Sequence, residues 1–225
     1  MPKLTFISDT HNYETKLTAA IIEGGRPDVL VHCGDCTDGG TVQELEHVAA
    51  WFKMLKQKDY VDEIVLVAGN HDRGLRSPSN HKIFKDIGVH YLQDSAVTLH
   101  GLRFYGSPWS GLMSEWGFQL PSEDGGPGPY IWESIPSDTD ILVTHTPPAY
   151  IRDEDGGVHW GCPHLRKRID EGYLKPRVHA FGHVHPQHGI TMSNHTIFLN
   201  ATSWKGRMRW MNAPIVLEIG LLDAT

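Results

Sequence analysis

Asp9, His11, Asp35, Asn70, His145, His183 and His185 are the residues whose types and spacing point to chemistry. They stand in Asp9-Thr10-His11, Gly34-Asp35, Gly69-Asn70-His71-Asp72, Thr144-His145 and Gly182-His183-Val184-His185. Imidazoles and carboxylates suit Zn, Mn, Fe and similar borderline ions. Two divalent ions about 3.5–4 Å apart need a bridging ligand, and a carboxylate has two oxygens to share. Asp35 is the candidate bridge. Asn70 can offer an amide oxygen without adding charge. With two ions and the carboxylates of Asp9 and Asp35, the site keeps a surplus of about +2, which attracts a phosphate anion and lowers the pKa of a bound water toward neutrality.

The elements that must position these groups are visible as short apolar runs. Phe6-Ile7-Ser8, Val29 to His32, Ile64 to Val67, Ile141-Leu142-Val143 and Val178 to Phe181 each end at one of the motifs. Buried strands read this way, and ligands at their C-terminal ends can converge on one crevice. Further strands are expected at 96–99 and 102–105 as a hairpin, and at 189–192, 196–199 and 215–221. Helices are expected at 13–22, at 81–86 and at 163–170, the last with Pro163 at its start. The clearest helix begins at Thr41, where Glu44 completes a capping box ahead of the stripe Val42, Leu45, Ala49, Phe52 and Leu55. Residues 107–136, rich in Pro, Gly and aromatics, read as a long loop.

The full ordered set D-x-H, G-D, G-N-H-[DE], H and G-H-x-H resembles the calcineurin-like metallophosphoesterase superfamily. Between the motifs, Tyr105-Gly106-Ser107-Pro108-Trp109, Trp116-Gly117-Phe118, Thr139 to Pro148 and Asn200-Ala201-Thr202-Ser203 resemble its brain-type metallophosphoesterase-domain subfamily. The similarity spans roughly Phe6 to Ile219. The resemblance implies an α/β fold, a four-layer αββα sandwich of two mixed sheets flanked by helices, with 1–225 as one domain. It implies one ion on Asp9, His11, Asp35 and His185, and a second on Asp35, Asn70, His145 and His183. His71 would not ligate metal but would donate to the leaving oxygen. Its ring needs a fixed tautomer, and Asp38, three residues after the bridge, is the candidate carboxylate. The lesser alternative for Asp38 is a cap at the helix entry.

One departure bears on substrate. Related protein phosphatases read G-D-x-x-D-R-G, with the Arg clamping phosphate, whereas here Gly39 takes the place of the Arg. A diester has one oxygen fewer to grip and tolerates that loss better. The expected activity is therefore hydrolysis of small phosphodiesters, cyclic nucleotides among the candidates, by a metal-bound hydroxide, with two Mn, Fe, Zn or similar ions as cofactors. Trp109, Trp116 and Phe118 are candidate substrate-binding aromatics on a lid, or alternatively packing under the loop. A phosphomonoesterase or protein phosphatase is the competing enzyme. A non-catalytic scaffold is the competing non-enzyme, disfavoured because every motif residue is retained.

The chain has 225 residues, net charge −7 and ordinary composition, 40% hydrophobic and 21% charged. A pI near 6.1 argues against a nucleic-acid polymer as partner, though not against a nucleotide. No run approaches the ~18 apolar residues of a membrane span. Met1-Pro2-Lys3 leads straight into a first strand read at Leu4 to Ser8, so no signal peptide is expected. With Cys33, Cys36 and Cys162 read as free thiols, a cytoplasmic protein is expected. Cys33-Gly34-Asp35-Cys36 has C-x-x-C spacing, but no second such pair exists to complete a zinc tetrad.

Overall fold

The apolar runs become parallel strands buried on both faces, which is why they read as continuous Val, Leu and Ile rather than as an alternation. The computed structural model describes all residues except 112–114, 120–127, 194, 206–209 and 221–225. Its strands are β1 (Lys3–Ile7), β2 (Val29–His32), β3 (Glu63–Val67), β4 (His90–Leu92), β5 (Ser95–Leu99), β6 (Leu102–Ser107), β7 (Ile141–Thr144), β8 (Glu154–Asp155), β9 (Val158–His159), β10 (Val178–Phe181), β11 (Gly189–Ser193), β12 (Thr196–Asn200), β13 (Trp204–Lys205), β14 (Trp210–Met211) and β15 (Ile215–Glu218). Its helices are α1 (Thr18–Glu23), α2 (Val42–Gln57), α3 (His81–Lys85), α4 (Pro129–Glu133) and α5 (Pro163–Asp170).

Two mixed sheets carry the architecture, one in the order β15-β1-β2-β3-β4 and the other β11-β12-β10-β7-β6-β5. In the first, β1 to β4 run parallel and β15 closes the edge antiparallel to β1. In the second, β6, β7, β10 and β12 are parallel, with β5 and β11 antiparallel at the edges. Alternation along each strand sorts side chains between two layers. Leu4, Phe6, Val29, Val31, Val65 and Val67 face Phe104, Ile141, Val143, Val178 and Leu199 between the sheets. Ile7, Leu30, Ile64 and Leu66 turn outward onto Leu45, Val48, Phe52, Leu55 and Phe84 of the helices. On the far side Tyr105, Leu142, Phe181 and Phe198 meet Trp132, Leu165 and Ile169. The layers are therefore helix, sheet, sheet, helix, as the α/β sandwich reading expects.

Two local corrections follow. The 107–136 stretch is not loop throughout, because α4 lies within it and its Trp132 is fully buried against the second sheet; residues 112–114 and 120–127 of the stretch lie outside the described residues. The last strand ends at Glu218, short of its expected end: Ile219 and Gly220 are described and lie outside it, and Leu221 lies outside the described residues. Strand β4 and the hairpins β8–β9 and β13–β14 were not expected at all. The capping box forms as read. Thr41 Oγ1 accepts from Glu44 N at 3.3 Å, and Glu44 Oε2 accepts from Thr41 N at 2.8 Å.

Candidate metal centre and active site

The sheets join at the C-terminal ends of their parallel strands. A bridge pairs Ser8, just past β1, with Thr202, just past β12, and Ser203 N donates to Ser8 O at 2.7 Å. Asp9, Asp35 and Asn70 follow β1, β2 and β3, while His145 and His183 follow β7 and β10. The backbone must turn sharply there to aim side chains inward. Asp9 (φ 52°), His11 (45°), Asp35 (53°) and His183 (68°) all hold left-handed conformations, which cost about 1–2 kcal/mol each for a residue with a Cβ. Gly69 and Gly182 have a different reason. A Cβ at Gly69 would collide with Asp35 Oδ1, and one at Gly182 with Asp9 Oδ2.

The ligand-type atoms fall into overlapping groups. Those of Asp9, His11 and His185 lie within 4.8 Å of one another, as do those of Asp9, Asp35 and His145. His185 Nε2 is 3.3 Å from Asp9 Oδ1 and 3.4 Å from His11 Nε2. His183 donates its backbone N–H to both Asp9 oxygens at 3.1 Å, and its ring lies 4.9 Å from that of His145. His145 Nε2 faces Asn70 Oδ1 at 3.0 Å and Asp35 Oδ2 at 3.4 Å. Its Nδ1 can only donate to the Cys33 carbonyl, 3.0 Å away. A neutral His145 therefore points an Nε2 lone pair at two oxygens. That contact is repulsive unless a proton or a cation sits between them.

The protonation equilibria express the same demand. Burial opposes charge on His145, yet the Asp35 carboxylate beside it outweighs burial and pushes the pKa up to about 9. Burial alone would raise Asp9 and Asp35. His185 beside Asp9, and His145 beside Asp35, instead hold both carboxyls well below the usual range. His185 is raised in turn, its burial outweighed by the hydrogen bond to Asp9. Burial drives His183 down to about 3, so it offers a neutral ring. Buried carboxylates and imidazole nitrogens that converge on one another, plus a buried His11 Nδ1 that lacks a hydrogen-bond partner, are a donor set in which divalent cations would take the place of the protons on His145 and His185.

His71 stands beside this cluster. Its backbone N–H donates to Asp35 Oδ1 at 2.8 Å, and its Nε2 lies 4.0 Å from Asp35 Oδ2. Its Nδ1 donates to a carbonyl, that of Asp38, at 2.6 Å. The backbone of Asp38, rather than the carboxylate expected from sequence, thus fixes the His71 tautomer. The carboxylate is 77% exposed and 3.9 Å from His11 Nδ1.

Of the expected aromatics, only Trp116 reaches the site. Its indole stacks on His71 at 4.0 Å between centroids, with planes 29° apart. Phe118 is buried in the helix-side core, and Trp109 is half-buried, packs on the cores and donates to Asp94 Oδ2 at 2.7 Å. Other participants escaped the sequence reading. Asp72, the last residue of the Gly-Asn-His-Asp motif, is fully buried and accepts from Thr37 N, Thr37 Oγ1, Gly69 N and Cys36 N at 2.7–3.3 Å, which locks the Asp35 loop to the Asn70 loop. Asn200 Nδ2 donates to Val184 O at 3.0 Å and steadies the Gly-His-Val-His loop. Arg73 Nε donates to Gly39 O at 3.2 Å, and its guanidinium lies 5.3 Å from the Trp116 ring. Trp204 packs edge-on against His11, 5.5 Å between centroids. It directly follows Asn200-Ala-Thr-Ser203, the one signal that could have drawn attention to it. All three cysteines are free and buried. Burial pushes the Cys33 and Cys36 thiols well up, which removes any thiolate reading of Cys-x-x-Cys.

Comparison with known proteins decides the lineage. The family model described as calcineurin-like phosphoesterase matches residues 2–187. The chain belongs to that family. It is 33% identical to UPF0046 protein K07C11.7 of Caenorhabditis elegans over 96% of this chain and 75% of that protein. It is 31% identical to human metallophosphoesterase domain-containing protein 1, covering 95% of this chain and 69% of the relative. Membership in the calcineurin-like phosphoesterases supports a phosphoric ester hydrolase, and the Asp/His cluster just described is its candidate metal-binding group. Among the described residues, no helix is long and apolar enough to cross a membrane.

Proposed function

We propose that this chain is a dinuclear metal-dependent phosphodiesterase acting on small substrates, nucleotide esters among them. Asp9, His11, Asp35 and His185 would hold one ion. Asp35, Asn70, His145 and His183 would hold the other. The observation that carries this reading is His145, whose Nε2 lone pair meets Asn70 Oδ1 at 3.0 Å and Asp35 Oδ2 at 3.4 Å. Ions such as Mn, Fe or Zn bound there supply positive charge that offsets the phosphate oxygens and acidifies water. The chain's own groups do the rest. Asp35 is oriented by the His71 N–H on its Oδ1. His71 is held at Nδ1 by the Asp38 carbonyl, which leaves Nε2 facing the reacting end; as the doubly protonated imidazolium it would give its Nε2 proton to the leaving oxygen and be left as the neutral ring. Asp38 acts as a positioning residue through that carbonyl. Trp116, stacked on His71, restrains the ring. Three free buried cysteines suit a reducing compartment, and we assign the chain to the cytoplasm.

The preference for diesters rests on Gly39, which leaves the phosphate clamp of protein phosphatases without its side chain. One observation favours a second reading, phosphomonoester hydrolysis. Arg73 brings a guanidinium to the Gly39 carbonyl at 3.2 Å, next to the place left empty by the glycine. The test is a Mn²⁺-supported assay of bis(4-nitrophenyl) phosphate, 4-nitrophenyl phosphate and a phosphoserine peptide, with wild type and Arg73→Ala. The diesterase reading expects the highest kcat/KM on the diester and little change there in Arg73→Ala. A higher value on the monoesters, lost in Arg73→Ala, establishes the second reading instead.

A further inference from the structure

Of the aromatics expected in the 107–136 stretch, Phe118 is in the core, Trp109 is tied to Asp94, and His71 stacks on Trp116. The site has a different aromatic wall. Trp204, at the start of the β13–β14 hairpin, stands 5.5 Å from the His11 ring and 6.4 Å from the His185 ring. It also lines a hollow of about 700 Å³ together with His185, His188, Lys205, Asn212 and Asp155. One wall of this hollow is thus a residue of the candidate metal centre. The rest is the Trp204 indole, the Lys205 ammonium, the Asn212 amide, His188, Pro186 and the Asp155 carboxylate.

The hollow has the size and chemistry of a small-molecule subsite. Trp204 is only partly buried, so indole surface is open to a ligand. Its neighbours are held in place independently of any ligand. Ser203 N donates to Ser8 O and Asn212 N to Ser203 O, each at 2.7 Å, and Asn212 Nδ2 donates to Thr202 O at 3.1 Å. His188 Nε2 donates to the Ala213 carbonyl at 3.2 Å. Lys205 is exposed and has no ion-pair partner among the described residues. An indole open on one face binds a planar π-system, and an adjacent ammonium favours an electron-rich one over a cation.

We infer that the Trp204 hollow is the subsite for the base of a nucleoside phosphodiester, placed so that the phosphorus of that ester lies at the Asp9–His11–His185 side of the centre. This rests on the phosphodiesterase reading above and narrows its substrate class from simple diesters to nucleoside diesters. Trp204 determines specificity by stacking, and the chemistry of the leaving group is not its concern.

Two substrates with the same leaving group isolate the effect: thymidine 5′-(4-nitrophenyl phosphate) and methyl 4-nitrophenyl phosphate. With Mn²⁺, Trp204→Ala should raise KM for the thymidine ester roughly 10-fold or more, the scale of a lost base–aromatic stack. It should change KM for the methyl ester by less than about 3-fold, and Trp204→Phe should keep most of the discrimination. Equal losses on both substrates, or no loss on the thymidine ester, overturn the subsite. A binding measurement keeps the two readings separable. Thymidine 5′-monophosphate should quench intrinsic fluorescence of the wild type more than that of Trp204→Phe, whether or not the enzyme turns over diesters. Absence of turnover on both esters with that difference in quenching defeats the phosphodiesterase reading and leaves the subsite standing. Identical quenching in both proteins defeats the subsite.

Discussion

Single residues carry the sharpest expectations. His71 touches the reacting end of the site and binds no proposed ion, so His71→Ala should retain metal while kcat falls on the order of 10²–10⁴. Metal analysis beside steady-state kinetics checks it, and loss of metal from the variant contradicts the role. Asp38→Asn leaves the backbone carbonyl on His71 in place, so kcat should change by less than about 3-fold, a smaller effect than a carboxylate partner would predict. Glu14 gives a pH signature. Its carboxylate is fully buried, neither oxygen has a hydrogen-bond partner, and His47 Nε2 is 3.1 Å away outside hydrogen-bonding geometry. Burial is the main cause of its raised pKa, with its own backbone and His47 opposing. The folded state therefore binds the proton more tightly than the unfolded one, and stability falls as pH rises above the unfolded value of 4.5. Glu14→Gln should then melt higher than wild type at pH 7, by about 2–4 °C per kcal/mol relieved, with the gap closing below the unfolded value. A gap that is constant with pH removes ionisation as its cause.

At the scale of elements, the loop between β2 and α2 is where stability and catalysis meet. Glu44 accepts from Thr41 N to cap α2, and its other oxygen accepts from Gly39 N at 3.0 Å. Burial would raise this carboxyl, but the Thr41 and Gly39 donors hold it below its ordinary value. That contribution is present above the unfolded pKa and is lost as pH falls through the folded one. Glu44→Ala should lower stability by about 0.5–2 kcal/mol, the usual range for a lost cap. It should also lower kcat, because Gly39 follows the carbonyl that holds His71. Thr41→Ala removes the cap but leaves Glu44 on Gly39, so it should cost stability with less effect on kcat. Thermal melts and kinetics on the pair separate the two contributions, and identical kinetic losses contradict the coupling. The cap was legible because it is local, three residues apart in one sequence window. The tie to His71 was not, because it runs through backbone groups at 38 and 39 that sequence does not distinguish from any other peptide.

Across the whole molecule, the centre draws on both sheets at once. Asp9, Asp35 and Asn70 come from one, and His145, His183 and His185 from the other. Ions held there tie the layers together and should stabilise the fold by mass action. At a free Mn²⁺ concentration 100 times its Kd, the gain is about 2.7 kcal/mol, or roughly 5–10 °C in Tm for a domain of this size. Chelation should reverse it. Two ions per chain are expected by elemental analysis, and Asp35→Asn should weaken both. One tight ion in a fully active wild type contradicts the shared-bridge arrangement.

What the chain declared in sequence was chemistry at strand ends. Asp9, Asp35, Asn70, His145 and the His183/His185 pair each follow an apolar run. The run, its end and the polar residue after it are neighbours in the chain, so type and position could be read together. The same locality made β1, β2, β3, β7 and β10 recognisable. Strand β4 and the β13–β14 hairpin were missed because each is short and gains its identity from what it packs against. Phe118, Trp109 and Trp116 read alike in sequence, as aromatics in a Pro- and Gly-rich stretch. Only packing sorted them, one into the core, one onto Asp94 and one onto His71. Trp204 and Arg73 are the counterpart: ordinary residues in sequence, placed at the centre by contacts with His11 and Gly39 that lie far along the chain. Ligand identity is a property of residue type, which sequence carries. The surfaces that choose a substrate depend on distances between remote segments, and those are settled only when the two sheets close on each other.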